Sequence, residues 1–268
     1  MTNSALQAIV ARRRADLAAG LAIPNPLPQA PQPVARPGRL EAALRAASDR
    51  PRLILEIKPA SPSAGALGDV SDLPQRLALY HTAAIGFSVL TEPHHFGGSY
   101  ALLADVASQS CHPVLCKDFI VEPSQLDAAR AFGAEAALLI VKSLSDDGLA
   151  SLTARCRHWG MTPVIEVQNP SELARALATP GLSCGEGVLL VNNRDLDSLA
   201  IDLATTSRLA ALIPPGTLTV SASGIETRAD LDALRPYCDG FLIGSALMRQ
   251  PVTELAAMLS ALTDVNMA

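Results

Sequence analysis

The sequence predicts an α/β protein, a single (β/α)8 TIM barrel preceded by an N-terminal helical extension. Three observations carry that expectation. Short apolar segments recur eight times, at 52–58, 86–91, 113–116, 136–141, 162–166, 187–191, 218–221 and 240–243. Amphipathic stretches separate them, for example at 72–84, 123–132, 145–158, 202–213 and 226–235. Several apolar segments also end on a polar or charged residue: Lys58, Lys117, Glu166, and Asn192 to Arg194. Strand-like and helix-like segments in alternation imply a parallel sheet. Eight such units in 268 residues favour a closed barrel, although alternation alone permits an open doubly wound sheet. No Gly-x-Gly-x-x-Gly follows the first apolar segment, which disfavours a dinucleotide fold. Polar groups from many strand ends on one rim are how a barrel builds an active site.

The elements follow in order. Residues 3–19 form an expected helix. Pro24 to Pro37 holds six of the twenty prolines, which predicts an extended connector. A short helix is expected at 39–48. Residues 1–50 are therefore read as the extension and 51–268 as the barrel domain, with no second domain after residue 264. The first barrel segment, Leu53-Ile54-Leu55-Glu56-Ile57-Lys58, runs into Pro59-Ala60-Ser61-Pro62-Ser63. The third reads Pro113-Val114-Leu115-Cys116-Lys117-Asp118-Phe119. An apolar run of this length bounded by proline is a buried strand, and the charge ending it lies at the rim of a core. Glu56 and Lys58 are two apart, so both point to the same side of their strand.

Composition narrows the function classes. The chain is 49% hydrophobic and 18% charged, enough for a large core. Its net charge of −5 argues against a nucleic-acid partner. Aromatics at 3% disfavour base-stacking platforms. No apolar stretch approaches the roughly 20 residues that span a bilayer, so no membrane partner is expected. The N-terminus lacks a signal-peptide core and carries Arg12, Arg13 and Arg14 instead, so a cytoplasmic location is expected. The cysteines, Cys111, Cys116, Cys156, Cys184 and Cys238, are odd in number and form no C-x-x-C pair, which predicts reduced thiols. The histidines show no ligand spacing. His94 and His95 are adjacent and cannot share a helical face, so no metal is expected.

Several segments together resemble one enzyme family. They are Glu56-Ile57-Lys58-Pro59-Ala60-Ser61-Pro62-Ser63-Ala64-Gly65, Phe96-Gly97-Gly98-Ser99, Lys117-Asp118-Phe119-Ile120, Glu166-Val167, Asn192-Asn193-Arg194-Asp195-Leu196, Ser223-Gly224-Ile225 and Phe241-Leu242-Ile243-Gly244-Ser245. In this order they are similar to the motifs of indole-3-glycerol-phosphate synthases, from about residue 50 to about 250. The resemblance implies ring closure of 1-(2-carboxyphenylamino)-1-deoxyribulose 5-phosphate. In that reaction an aromatic carbon attacks the ribulose carbonyl, carbon dioxide leaves, and water leaves. No step is a redox step, so no cofactor is implied. The implied partner is this phosphorylated small molecule, with the chain a monomer or weak homo-oligomer.

The resemblance also implies roles. Lys117 is the general acid, since an apolar rim can lower a lysine pKa toward working pH. The alternative for Lys117 is a strand-end lysine reaching for water. Lys58 is a cation near substrate and phosphate, or a second acid. Glu166 is the general base, because a carboxylate at a buried strand end is costly unless it meets a lysine or substrate. Glu56 positions both lysines, or is simply a structural ion pair. Asn192 and Arg194 hold the ribulose hydroxyls and the anthranilate carboxylate. The alternative for Arg194 is a loop salt bridge with Asp195 or Asp197. Ser61 and Ser63 lie in a proline-pinned loop against the substrate. Ser223-Gly224 and Gly244-Ser245 bind phosphate, as loops after the seventh and eighth strands commonly do. Phe96, Phe119, Leu138, Leu196 and Ile243 form an apolar wall for the aromatic ring, with core packing the alternative for each.

One departure is sharp. The family usually reads Ser-Glu-Ser-Gly after strand seven, and this chain reads Ser221-Ala222-Ser223-Gly224. Ala222 cannot balance a lysine charge or accept a hydrogen bond. Ala64 likewise stands where the family often has lysine. Two further readings therefore stay open: an attenuated or non-catalytic barrel binding the same ligand, and a barrel retuned to another phosphorylated substrate.

Overall fold

The computed structural model describes residues 4–62, 65–67, 70–182 and 185–263. Eight parallel strands close into a barrel: β1 Leu53–Ile57, β2 Ala84–Leu90, β3 Val114–Lys117, β4 Ala136–Ile140, β5 Thr162–Val167, β6 Val188–Asn192, β7 Thr219–Ala222 and β8 Gly240–Ile243. Each pairs with its sequence neighbours, and β1 closes the ring on β8 with Leu53 opposite Phe241. Helices between the strands include Leu73–Tyr80, Tyr100–Gln109, Pro123–Ala131, Asp146–His158, Pro170–Leu177 and Arg228–Leu234. The predicted barrel and N-terminal helix are thus present, with bounds shifted by a few residues.

The strands are buried on both faces, as in a fully covered parallel sheet. Alternate side chains sort into two apolar layers. Ile54, Leu115, Leu138, Val164, Leu190, Val220, Ala222 and Leu242 fill the barrel interior. Leu55, Val89, Cys116, Leu139, Ile165, Val191, Phe241 and Ile243 pack outward beneath the helices. Glu56, Lys58, Lys117, Glu166 and Asn192 share the inward parity at the strand C-termini.

The extension contributes two helices, one to each end. Helix α1, Ala5–Ala18, starts at Ser4, whose side chain accepts a hydrogen bond from the Gln7 amide at 3.2 Å. Its buried residues are Leu6, Ile9, Arg13 and Asp16, one helical face. Arg13 is 1% exposed and makes a two-pronged ion pair with Asp118, directly after β3. This docks α1 across the barrel mouth. Helix α2, Arg39–Arg45, sends Leu40 and Leu44 into the interior layer at the other end. Its Glu41 accepts a hydrogen bond from Thr162 at the start of β5. Gly240, at the start of β8, has room for no Cβ, since one would sit 2.6 Å from Leu44 Cδ2. No helix among the described residues is long and apolar enough to cross a membrane.

Candidate active site

Three charged side chains meet at the mouth. Glu56 Oε1 lies 2.7 Å from Lys58 Nζ, and Glu56 Oε2 lies 2.6 Å from Lys117 Nζ. One carboxylate thus bridges lysines from two strands that are not neighbours in the sheet. Burial opposes ionisation of Glu56, which is 2% exposed, but the charges of Lys117 and Lys58 outweigh it and hold the carboxyl at about 2. Burial pushes Lys58 below the ordinary lysine value; Glu56 opposes this, while Lys117 and Arg194 add to it. The carboxylate serves two cations and Lys58 only one anion, so the two partners shift unequally. Glu166, beneath them on β5, accepts a hydrogen bond from Asn192 Nδ2 at 2.9 Å. Burial raises its carboxyl above the usual range against the pull of Lys117 and Asn192. A buried carboxyl raised above its usual range beside a lysine is the electrostatic setting of a general base.

Two cavities adjoin across these groups. One lies under helix α1. It is apolar where Phe96, Phe119, Leu138 and Leu196 line it, and polar at Lys58, Lys117, Glu166, Asn192 and Arg194. The Phe96 and Phe119 rings lie 5.9 Å apart. Ser61 also lines this cavity, and its Oγ is buried without a hydrogen-bond partner among the described residues. The second cavity is lined by Lys58, Lys117, Arg194, Ser223, Gly224, Gly244, Ser245 and Arg249. Lys58 Nζ donates to Ser245 Oγ at 3.1 Å, so this lysine faces both cavities. A Cβ on Gly244 would fall 2.3 Å from Glu56 Oε1, so only glycine lets this loop approach the carboxylate.

Buried polar contacts hold the loops after β6 and β7. Ser223 takes a left-handed φ of 70°. Its carbonyl accepts from Asn193 Nδ2 at 3.2 Å, and the same amide donates to Ser221 Oγ at 3.0 Å. Asn193 Oδ1 accepts from both the amide and the hydroxyl of Thr206. The strand ends at Asn192, so Arg194 is placed by a loop and not by strand alternation. A bridge to Ile201 and a hydrogen bond to the Leu199 carbonyl at 3.2 Å aim its guanidinium into the cavities. The expected alternative, a salt bridge to Asp195 or Asp197, does not form; those carboxylates meet Lys142.

The structure brings together nearly all the residues expected at the site. Ile243 stands apart from the aromatic wall. It packs outward among Leu55, Phe241 and Ala246 and borders the second cavity, not the one with Phe96. Its strand neighbour Leu242 takes the inward position by period-two alternation. Ser63 and Ala64 lie outside the described residues. Ala222 closes β7, is 2% exposed, faces the interior and stands opposite Asn192 in register.

Other contributors were not singled out from the sequence. Ala5, Leu6 and Ile9 of α1 form the apolar roof of the first cavity, and Arg249 lines the second. The signal for the roof was present, since Leu6, Ile9, Val10 and Arg13 fall at one-face helical spacing. At the mouth, His94 contacts Asp16 and His95 contacts Glu92. The described group with metal-ligand proximity, His81, Cys111 and His112, lies elsewhere in the fold.

The family description "Indole-3-glycerol phosphate synthase" matches residues 6–262. An indole-3-glycerol phosphate synthase of Roseiflexus sp. is 43% identical over 229 residues, covering 80% of this chain and 81% of that protein. A tryptophan biosynthesis protein TrpCF of Vibrio cholerae is 42% identical over 208 residues, covering 78% of this chain but 43% of that protein. The chain spans less than half the length of the TrpCF relatives it matches. A solved mutant tryptophan synthase α-subunit of Pyrococcus furiosus superposes with a TM-score of 0.59 at 15% identity, over 79% of this chain and 97% of that one, which is likeness of fold alone. With a family match over nearly its whole length and relatives at 43% identity, the chain belongs to the indole-3-glycerol phosphate synthase family.

Proposed function

We propose that the barrel closes the pyrrole ring of indole, with 1-(2-carboxyphenylamino)-1-deoxyribulose 5-phosphate as substrate. The observation that carries this reading is Glu56 bridging Lys58 and Lys117 where an apolar cavity meets a cationic one. The substrate has the same polarity: an aromatic ring at one end and a phosphate at the other.

The ring packs against Phe96, Phe119, Leu138 and Leu196. The phosphate meets the loops at Ser223–Gly224 and Gly244–Ser245, with Lys58 beside Ser245. Arg194 offsets the anthranilate carboxylate, and Asn192 meets the ribulose hydroxyls. Lys117 donates a proton to the carbonyl oxygen as the ring carbon bonds to the carbonyl carbon. The carboxylate then leaves as carbon dioxide, and its bonding electrons restore the aromatic ring. In the dehydration, hydroxide leaves as water after protonation by a lysine. Glu166 takes the proton released as the new double bond forms. Glu56 holds both lysine ammonium groups in place; that fixed arrangement is the preorganised electrostatic contribution.

In this reading residues 51–268 are the catalytic unit and 1–50 its docked extension. The acidic balance supports a small-molecule partner over nucleic acid, and in this reading the enzyme works in the cytoplasm as a monomer or weak homo-oligomer. Purified protein given the substrate should produce indole fluorescence, with inorganic phosphate inhibiting competitively. Absence of the fluorescent product would overturn the reading. Non-competitive inhibition would remove the phosphate assignment.

A further inference from the structure

Away from the mouth, three soft ligand atoms converge in a way no local spacing announces. His81 caps the helix Leu73–Tyr80. Cys111 and His112 form the turn between the helix Tyr100–Gln109 and β3. The turn precedes β3, so the group lies at the N-terminal end of the barrel, opposite Lys117. The three ligand atoms all lie within 4.8 Å of one another. His81 Nδ1 and Cys111 Sγ are 3.6 Å apart. Tetrahedral zinc, with bonds of about 2.3 Å to sulfur and about 2.0 Å to nitrogen, separates such a pair by about 3.6 Å.

The surroundings suit a ligand role. His81 Nε2 lies 3.2 Å from the Gln109 carbonyl. A carbonyl only accepts, so in the neutral ring Nε2 carries the hydrogen and Nδ1 turns its lone pair toward the thiol. A ligating histidine is usually fixed this way, by a carbonyl on its other nitrogen. The His81 and His112 rings stack at 5.3 Å, and both stand edge-on to Phe87, at 5.0 and 5.8 Å. Ser110 Oγ accepts from the His112 amide and donates to the His112 carbonyl, which stiffens the turn. Arg39 donates to the Cys111 carbonyl and is itself paired with Glu135. Cys111 is exposed, so an ion has a route in.

We infer that His81, Cys111 and His112 form a binding site for a thiophilic divalent cation of the zinc class, with a fourth position open to water. Binding replaces the S–H bond with a metal–sulfur bond and releases the proton to solvent. The ion ties the end of one barrel helix to the turn after the next. Its effect is on stability and not on the mouth.

Cobalt(II) is the probe, titrated into the purified full chain kept reduced by a phosphine. The expected result is one ion per chain with a thiolate-to-cobalt charge-transfer band. Cys111→Ser should abolish the band, and His81→Gln should weaken binding by about tenfold or more. Zinc should displace cobalt and raise the unfolding midpoint by on the order of 5 °C at saturation, with ring closure unchanged. Cys111 is exposed, so the serine variant keeps the fold even if His81→Gln does not. No band, a band retained in Cys111→Ser, or the same zinc shift in that variant would each overturn the site.

Discussion

The two ends of this barrel are closed by two helices of one N-terminal extension, and they are closed differently. At the floor, α2 inserts Leu40 and Leu44 into the interior layer. At the mouth, α1 lays Leu6 and Ile9 over a space that still holds Glu56, Lys58, Lys117 and Glu166. The floor is apolar packing, with the Glu41 carboxylate held by Thr162. The mouth keeps four ionisable groups in a cavity, with Arg194 beside them. A protein selected for stability alone would fill such a space. In the proposed reading the difference separates two tasks: the floor serves packing, and the mouth serves chemistry.

The largest effect should come from the mouth. Lys117→Ala should lower kcat by about 10²–10⁴. The unfolding midpoint should change little, because Glu56 keeps Lys58 as a partner. Rapid-quench kinetics and a thermal melt on the same preparation check both halves. A variant keeping most of its kcat removes Lys117 from the mechanism.

Glu166→Gln should cost about 10² or more and should reshape the pH profile. A base works only when ionised, so activity rises with pH as Glu166 loses its proton. Burial raises that carboxyl, so the acidic limb of kcat/KM lies above the ordinary carboxylate range. Lys58 is lowered, and a phosphate-holding cation must stay charged, so the alkaline limb begins below the ordinary lysine value. The glutamine variant should lose the acidic limb and keep the alkaline one. Glu56 acts on stability with its own window. Its contribution is complete above pH 4.5 and is lost as pH falls through about 2.

The floor should respond in the opposite sense. Leu44→Ala leaves a cavity where the side chain is 1% exposed, which typically costs about 2–5 kcal/mol. Denaturant unfolding should show that loss, while kcat at a permissive temperature stays near wild type. A large fall in kcat with intact stability would erase the division between the two ends.

Much of this was legible because the signals are local. Eight apolar segments bounded by Pro and Gly specify the strands. Glu56 and Lys58, two apart on one strand, had to share a face. What stayed hidden depends on distance or on double burial. Arg13 and Asp118 are 105 positions apart, and His81 and Cys111 are 30 apart; only the closed fold joins them. That Ile243 borders the second cavity and not the aromatic wall was hidden because β8 is apolar on both faces, so its parity leaves no trace in hydrophobicity. That Arg194 reaches the mouth from a loop also needed the loop, with its turn at Leu199.

The smallest expected effect tests the central claim most directly. Ala222 stands where the motif resemblance leads one to expect glutamate, yet Glu56 already gives each lysine a carboxylate oxygen. A further carboxylate at the end of β7 should therefore add to an existing arrangement. The measurement is kcat for ring closure in wild type and in Ala222→Glu. Wild type should be active, and the variant should gain about tenfold or less, equivalent to about 1.4 kcal/mol, with KM little changed. If wild type forms no product and Ala222→Glu restores it, the Glu56-bridged lysines do not suffice, and the account of this mouth is contradicted.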